Sequence, residues 1–129
     1  MLFRRKWNVV TDKFCVLCPT LHTEDWKHLF FNCNFSTRVW TYLQISWTNG
    51  PMEQTLQVAK KEFKGPCFIE IVILACWAIW KQRNSWIFKG EKPSFRGWRR
   101  IFTTEVTWLM ARVKKDVNSS LSSWLNSLP

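Results

Sequence analysis

Cys15, Cys18, His28 and Cys33 have the types and the spacing of a metal site, written out as Cys-x2-Cys-x9-His-x4-Cys. Thiolate sulfur and imidazole nitrogen are donors that zinc prefers. Four of them complete a tetrahedron and leave no open position for substrate. The chemistry expected is therefore structural cross-linking rather than turnover. Cys15 and Cys18 form the tight turn that presents two sulfurs to one ion. Taken alone, Cys-x2-Cys is also the spacing of a redox pair, and a lone histidine beside Leu29, Phe30 and Phe31 is also an ordinary core residue. Together the four residues favour a metal. His22 is a rival nitrogen donor, but it falls just outside the helix expected to carry His28, so His28 is preferred.

His28 and Cys33 lie five residues apart. On an ideal α-helix that is about 140° of rotation, so both cannot face one ion from an unbroken helix. The helix must loosen near Asn32 and Cys33 must turn back, which the turn-prone Asn32-Cys33-Asn34 sequence permits. Zinc contributes roughly 10–16 kcal/mol of apparent free energy in small zinc peptides, so about the first fifty residues are expected to loosen without it. Cys67 and Cys76 lie nine apart on another expected helix. That places them about 180° apart. They read as buried apolar cysteines, not as a second metal site or a disulfide.

The elements that must position these residues are helical. Thr23 can cap a short helix with Glu24 and Asp25 in its first turn, carrying Trp26, His28, Leu29 and Phe30. Asn34 can cap a second through Val39, Trp40 and Leu43. Thr48-Asn49-Gly50-Pro51 is a strong breaker and marks a subdomain boundary. A modest helix is expected over Glu53–Phe63, ended by Gly65-Pro66, and a long one over Cys67–Phe88. On a wheel, Ile69, Ile73, Cys76, Trp77, Trp80 and Ile87 form one broad apolar face of the long helix. Leu74, Ala75, Ala78 and Ile79 cover much of the remainder, which predicts a central helix. After a turn at Lys89–Pro93, Ser94 can cap a helix to about Lys115. Its apolar face is Phe95, Trp98, Phe102, Val106, Leu109 and Val113. Its opposite face is Arg96, Arg100, Thr103, Thr107 and Lys114. Ser119–Leu128 is Ser-rich and expected to fray. No alternating strand pattern exceeds a few residues. The fold class expected is mainly α: a small Cys-Cys-His-Cys zinc-binding module at residues 1–47, followed by a helical extension at 52–129.

Composition fits that picture. A chain of 129 residues that is 47% hydrophobic and 16% aromatic can bury a core. Nineteen Lys and Arg against nine Asp and Glu give +10 at pH 7, which points to a polyanionic partner, most simply nucleic acid. Five cysteines, three of them clustered beside a histidine, favour metal over disulfides and a reducing, intracellular compartment. Arg4-Arg5-Lys6 is followed by Trp7-Asn8 and not by the apolar run of a signal peptide. The apolar stretch Phe68–Trp80 contains Glu70 and is too short to span a bilayer, so no membrane partner is expected.

The residues around the ligands narrow the reading. Cys15-Val16-Leu17-Cys18, Glu24, His28-Leu29-Phe30-Phe31-x-Cys33, Phe35-Ser36 and Trp40 together resemble the reverse-transcriptase zinc-binding domain of plant LINE-type (non-LTR) retrotransposons. Arg4-Arg5-Lys6-Trp7 is similar to the end of that domain's lead-in, so the resemblance covers about residues 1–47. Trp77-Ala78-Ile79-Trp80-Lys81-x-Arg83-Asn84 and Phe88 look like the tail that often follows it. The resemblance implies Cys15, Cys18, His28 and Cys33 as zinc ligands. It also implies a module C-terminal to a polymerase that helps grip template RNA or target DNA, with the nucleus as its place of work. The upstream polymerase region would be a further partner. Met1 stands almost on top of the zinc pattern, and the leading part of the domain is cut short. The expectation is a fragment of such an element or a stand-alone gene derived from one.

Catalysis is not expected. Polymerase chemistry requires paired metal-binding carboxylates, but the single tyrosine, Tyr42, is followed by Leu43-Gln44-Ile45, and no Asp-Asp pair exists. The nine acids are too scattered for a two-metal nuclease, and no glycine-rich phosphate loop is present. Sequence-independent binding needs cations for phosphates and rings for bases. Arg4, Arg5, Lys6, Lys13, Lys27 and Arg38 are the candidate cations near the zinc pattern, with Trp7 and Trp26 as candidate rings. A second basic cluster is Lys81, Arg83, Lys89, Lys92, Arg96, Arg99 and Arg100. Trp40, Trp77, Trp80 and Trp98 have helical spacing and are expected in the core.

Overall fold

The computed structural model describes Leu17 and residues 25–129. Among these residues the structure is helical and contains no strand. A π turn, His28–Asn32, leads into α1 (Asn34–Leu43), α2 (Met52–Glu62), α3 (Phe68–Lys89), α4 (Phe95–Met110) and α5 (Lys115–Ser127). The expected mainly α class is observed. No described helix is long and apolar enough to cross a membrane.

The breaks between helices follow local chemistry. Gln44 ends α1 in the left-handed region, and the loop after it runs to Pro51. Thr55 ties that loop to α2 by donating its hydroxyl to Thr48 O at 3.0 Å. Gly65 lies where α5 approaches most closely, and a Cβ there would sit 2.5 Å from Trp124 Cδ1. Gly90 ends α3 at φ +69°, a conformation glycine adopts without steric cost. Ser94 caps α4 as expected, its Oγ accepting from Gly97 N at 2.9 Å.

α3 and α4 form the central hairpin. Gln82, buried on α3, accepts from Ser94 N at 2.8 Å and so fixes the start of α4. Trp98, fully buried, donates its indole N–H to Ala75 O at 3.1 Å. It stacks on Phe102 with ring centroids 4.9 Å apart. Burying one such side chain stabilises by about 1.5–3 kcal/mol.

The buried face of α3 is not the one the wheel favours. Phe68, Ile71, Val72, Ala75, Ala78, Ile79, Gln82 and Arg83 are buried, whereas Ile69, Ile73 and Trp77 are 42%, 59% and 44% exposed. Trp77 is thus a surface residue, while Trp40 and Trp98 are in the core. The reason is close approach. Ala75 and Ala78 are small enough to let α4 bring Trp98 onto a main-chain carbonyl of α3.

α4 ends at Met110, earlier than its periodicity suggests, and Val113 falls in the following turn. The Ser-rich end, expected to fray, is instead the ordered α5. Leu121 is fully buried. Trp124 meets Phe63 at 5.5 Å and Phe102 at 6.3 Å. Asn118 Nδ2 donates to Met110 O at 2.7 Å, tying α5 to the end of α4.

One core runs through both halves of the chain. Leu17, Leu29, Cys33, Val39, Trp40 and Leu43 belong to the same buried cluster as Ile71, Ile79, Phe102 and Leu121. Ring contacts join the halves at Phe30–Trp80, Trp47–Phe68, Tyr42–Phe95 and Tyr42–Trp98.

Candidate functional site

The π turn is built from Asp25 upward. Asp25 holds the turn that leads into it: Oδ1 accepts from His28 N at 2.8 Å, and its main-chain oxygen accepts from Leu29 N at 2.8 Å. Thr23, the expected cap, lies outside the described residues together with Glu24 and His22. In an α-helix the next amides would continue the i→i+4 ladder. Here Cys33 N donates instead to His28 O at 2.6 Å, an i→i+5 bond.

That shift leaves the Leu29 carbonyl without the Cys33 amide. Ser36 Oγ, buried on α1, donates to it. One turn further along the same face of α1, Trp40 Nε1 donates to Phe30 O at 2.7 Å. Trp40 also stacks on Phe31 at 5.9 Å and 11°, and Trp47 closes edge-on against both rings. Cys33 then adopts an extended conformation (φ −62°, ψ 144°) and serves as N-cap of α1, so Asn34 begins the helix and does not cap it.

This arrangement bears on the two proposed ligands that are described. The α-helical wheel separates positions 28 and 33 by about 140°. The i→i+5 bond closes the turn between them, so the main chains of His28 and Cys33 are directly joined. π turns of this kind occur frequently at functional sites. Cys33 is fully buried and His28 is partly exposed. Leu17, which lies between the two earlier cysteines directly before Cys18, is buried in the cluster that holds Leu29 and Cys33. Cys15 and Cys18 themselves lie outside the described residues. Among the described residues no group of three or more His, Cys, Asp or Glu side chains converges. His28 and Cys33 are residue types that can donate to zinc, and the i→i+5 bond brings their main chains together.

The other cysteines have no such setting. Cys76 has its thiol pushed up to about 12 by burial. Cys67, at φ +58° before α3, is raised by burial and by the nearby Glu70 carboxylate. Both shifts favour the neutral thiol.

The cations sort by what they touch. Arg4, Arg5, Lys6, Trp7 and Lys13 lie outside the described residues. Lys27 is exposed, 5.7 Å over the Trp26 ring, and Trp26 itself is 53% exposed. Arg38 is exposed on α1 with its guanidinium 4.3 Å over Phe95 of α4. In the second cluster, Arg83 is fully buried, 5.1 Å over Trp80, with Nη1 donating to Asn84 Oδ1 at 3.3 Å. It is a core residue and not a phosphate contact. Lys81 pairs with Glu105 at 3.9 Å and lies over Trp77. Lys89, Lys92, Arg96, Arg99 and Arg100 are exposed. The last three line one shallow groove with Thr103 and Thr104. Sequence spacing alone missed the clamping roles of Ser36 and Trp40. A serine and a tryptophan four apart on an apolar helix face were the available signal. Comparison with protein-family models, with curated proteins and with solved structures gives no match.

Proposed function

We propose that this chain is a non-catalytic zinc-binding module that binds nucleic acid, similar to the zinc-binding region that follows the polymerase in plant non-LTR retrotransposons. Cys15, Cys18, His28 and Cys33 are the residues that would hold the metal. When bound, zinc would act as a closed structural cross-link between the segment around Leu17 and the π turn. The observation that carries the reading is the main-chain bond between His28 and Cys33, clamped by Ser36 and Trp40. Those two clamps belong to the residue pattern on which the resemblance rests. The working location is intracellular, in the nucleus if the resemblance holds, and the partner is RNA or DNA.

Metal analysis of the purified full chain tests the first half. Roughly stoichiometric zinc is expected, and Cys33→Ser should abolish it. Unchanged zinc in that variant would show that the ligand set is wrong. Titration with single-stranded RNA at several salt concentrations tests the second half. Binding that weakens as salt rises is expected, because cations on phosphates release counterions.

A second reading has its own observation. Ile69, Ile73 and Trp77, at i, i+4 and i+8, form an exposed apolar row on α3. Such a row suits a structural or protein-interaction fragment with no nucleic-acid binding of its own. Absence of salt-dependent RNA binding would favour this reading. The apolar face of α4 gives it no support, since Trp98, Phe102 and Val106 are buried.

A further inference from the structure

Arg38 on α1 and the arginines of α4 belong to separate basic clusters in the sequence, but the fold brings them together. Arg38 lies 4.3 Å over Phe95, Arg99 lies 5.6 Å over Tyr42, and the Tyr42 and Phe95 rings meet at 5.3 Å. The two guanidiniums thus lie over two rings that meet edge to face, at 77°, at the α1–α4 junction. A guanidinium stacked on a ring keeps its N–H fork directed outward and loses less freedom on meeting an oxyanion.

Along α4, Arg96, Arg100, Thr104 and Trp108 are spaced i, i+4, i+8 and i+12, so they form one inclined ridge about 18 Å long that winds about 120° around the helix. All four are exposed, Trp108 by 64%. The charge on this ridge is not balanced from within. Arg96, Arg99 and Arg100 sit in the first turn and a half of α4, where the helix dipole is also positive, and that first turn contains no acid. The acid on α4, Glu105, pairs with Lys81, and Glu91 lies across a separate cleft that Arg100 also lines. The described ion pairs leave Arg96 and Arg99 without a carboxylate. An external polyanion would relieve that repulsion.

We infer that the α4 ridge carrying Arg96, Arg100 and Trp108, flanked at its N-terminal end by Arg99 and Arg38 on the α1 side, is a docking surface for single-stranded nucleic acid, with the arginines on phosphates and the Trp108 indole under an unpaired base. The exposed indole on the same ridge is what favours a single strand. Paired bases in a duplex offer no free face for stacking, whereas every unpaired base does. This inference rests on the nucleic-acid reading above and assigns that binding to α1 and α4 instead of the N-terminal cations.

The test uses the full chain and fluorescence anisotropy with labelled single-stranded RNA across a salt series. Each phosphate contact on a single strand contributes about −0.7 to the slope of log affinity against log salt. Replacing Arg96, Arg99 and Arg100 with Ala should flatten the slope by about 2, and Arg38→Ala by about 0.7. Trp108→Ala should weaken binding roughly tenfold with little change in slope. A charge-matched control replaces Lys60, Lys61 and Lys64, which are also exposed, and should leave most of the slope in place. Circular dichroism and thermal melts confirm that each variant folds. If the wild-type chain binds and the arginine variant keeps its slope, the α1–α4 assignment falls while the nucleic-acid reading stands. If the wild-type chain shows no salt-dependent binding, that reading itself falls. Equal affinity for a duplex, with no effect of Trp108→Ala, would overturn the single-strand assignment.

Discussion

Removing either clamp on the π turn should destabilise the fold and weaken metal binding together. Ser36 is fully buried and its hydroxyl serves the Leu29 carbonyl, which lies in an equally buried residue. Ser36→Ala deletes that donor. An unsatisfied buried carbonyl costs about 1–3 kcal/mol. Trp40→Phe removes the 2.7 Å bond to Phe30 O but keeps a ring against Phe31, so about 1–2 kcal/mol is expected. The two residues serve adjacent carbonyls of one turn, so the double variant should lose less or more than the sum. A typical domain has only about 5–15 kcal/mol in hand.

Urea denaturation gives the stability change, and competition with a chromogenic chelator gives the zinc affinity. If the i→i+5 turn is the metal-competent form, a variant that relaxes towards the ordinary helix ladder spends part of its time with positions 28 and 33 diverging. A bias of about 1–2 kcal/mol towards that form lowers apparent zinc affinity by about 5- to 30-fold. Ser36→Ala with unchanged stability would refute the clamp argument, because the carbonyl would have found another partner. Equal destabilisation with and without zinc, at unchanged affinity, would refute the link between the π turn and the metal.

Two further outcomes probe the helical hairpin. Gln82→Ala removes the acceptor for Ser94 N and the side chain packed against Gly97, and should cost about 1–3 kcal/mol in urea melts. A loss no larger than that of an exposed substitution would show that the α3–α4 turn holds itself. Cys76, with its thiol at about 12 in the fold against 9.0 ordinarily, should resist alkylation at pH 8 until the chain unfolds. Its folded form prefers the proton, so the stability it contributes is fully present below pH 9 and declines as pH rises towards 12. A melt series of wild type against Cys76→Ala between those limits should show the difference narrowing as alkali is approached, and a constant difference would count against burial as the cause.

Much of the helical plan is legible in the sequence because its punctuation is local. Thr48–Pro51, Gly65-Pro66 and Gly90 break the chain by backbone conformation, and Ser94 caps through an oxygen three residues from its donor. The orientation of α3 is not legible, because that helix is apolar nearly all round. Large residues at Ile69, Ile73 and Trp77 outweigh Ala75 and Ala78 on any hydrophobic scale. Close helix packing selects for small side chains at a crossing, and Gln82 is buried because the α4 cap needs its amide oxygen. A scale that rewards bulk therefore points to the wrong side.

The same division holds at the candidate sites. The five-residue step from His28 to Cys33 requires a departure from the α-helix for any shared ligand, and that requirement depends only on helix geometry. The form of the departure depends on donors that arrive from α1, where Ser36 and Trp40 meet two carbonyls that the shifted ladder leaves behind. The basic face is less legible still. Arg38 and Arg99 are far apart in the chain, and only the edge-to-face Tyr42–Phe95 contact brings the two rings that carry their guanidiniums together. Charge along a sequence counts cations without regard to burial, so it gives Arg83 and Arg100 equal weight. The fold puts one in the core and the other on the α4 ridge. The discriminating quantity for this protein is therefore not its net charge but which arginines keep their N–H forks turned to solvent.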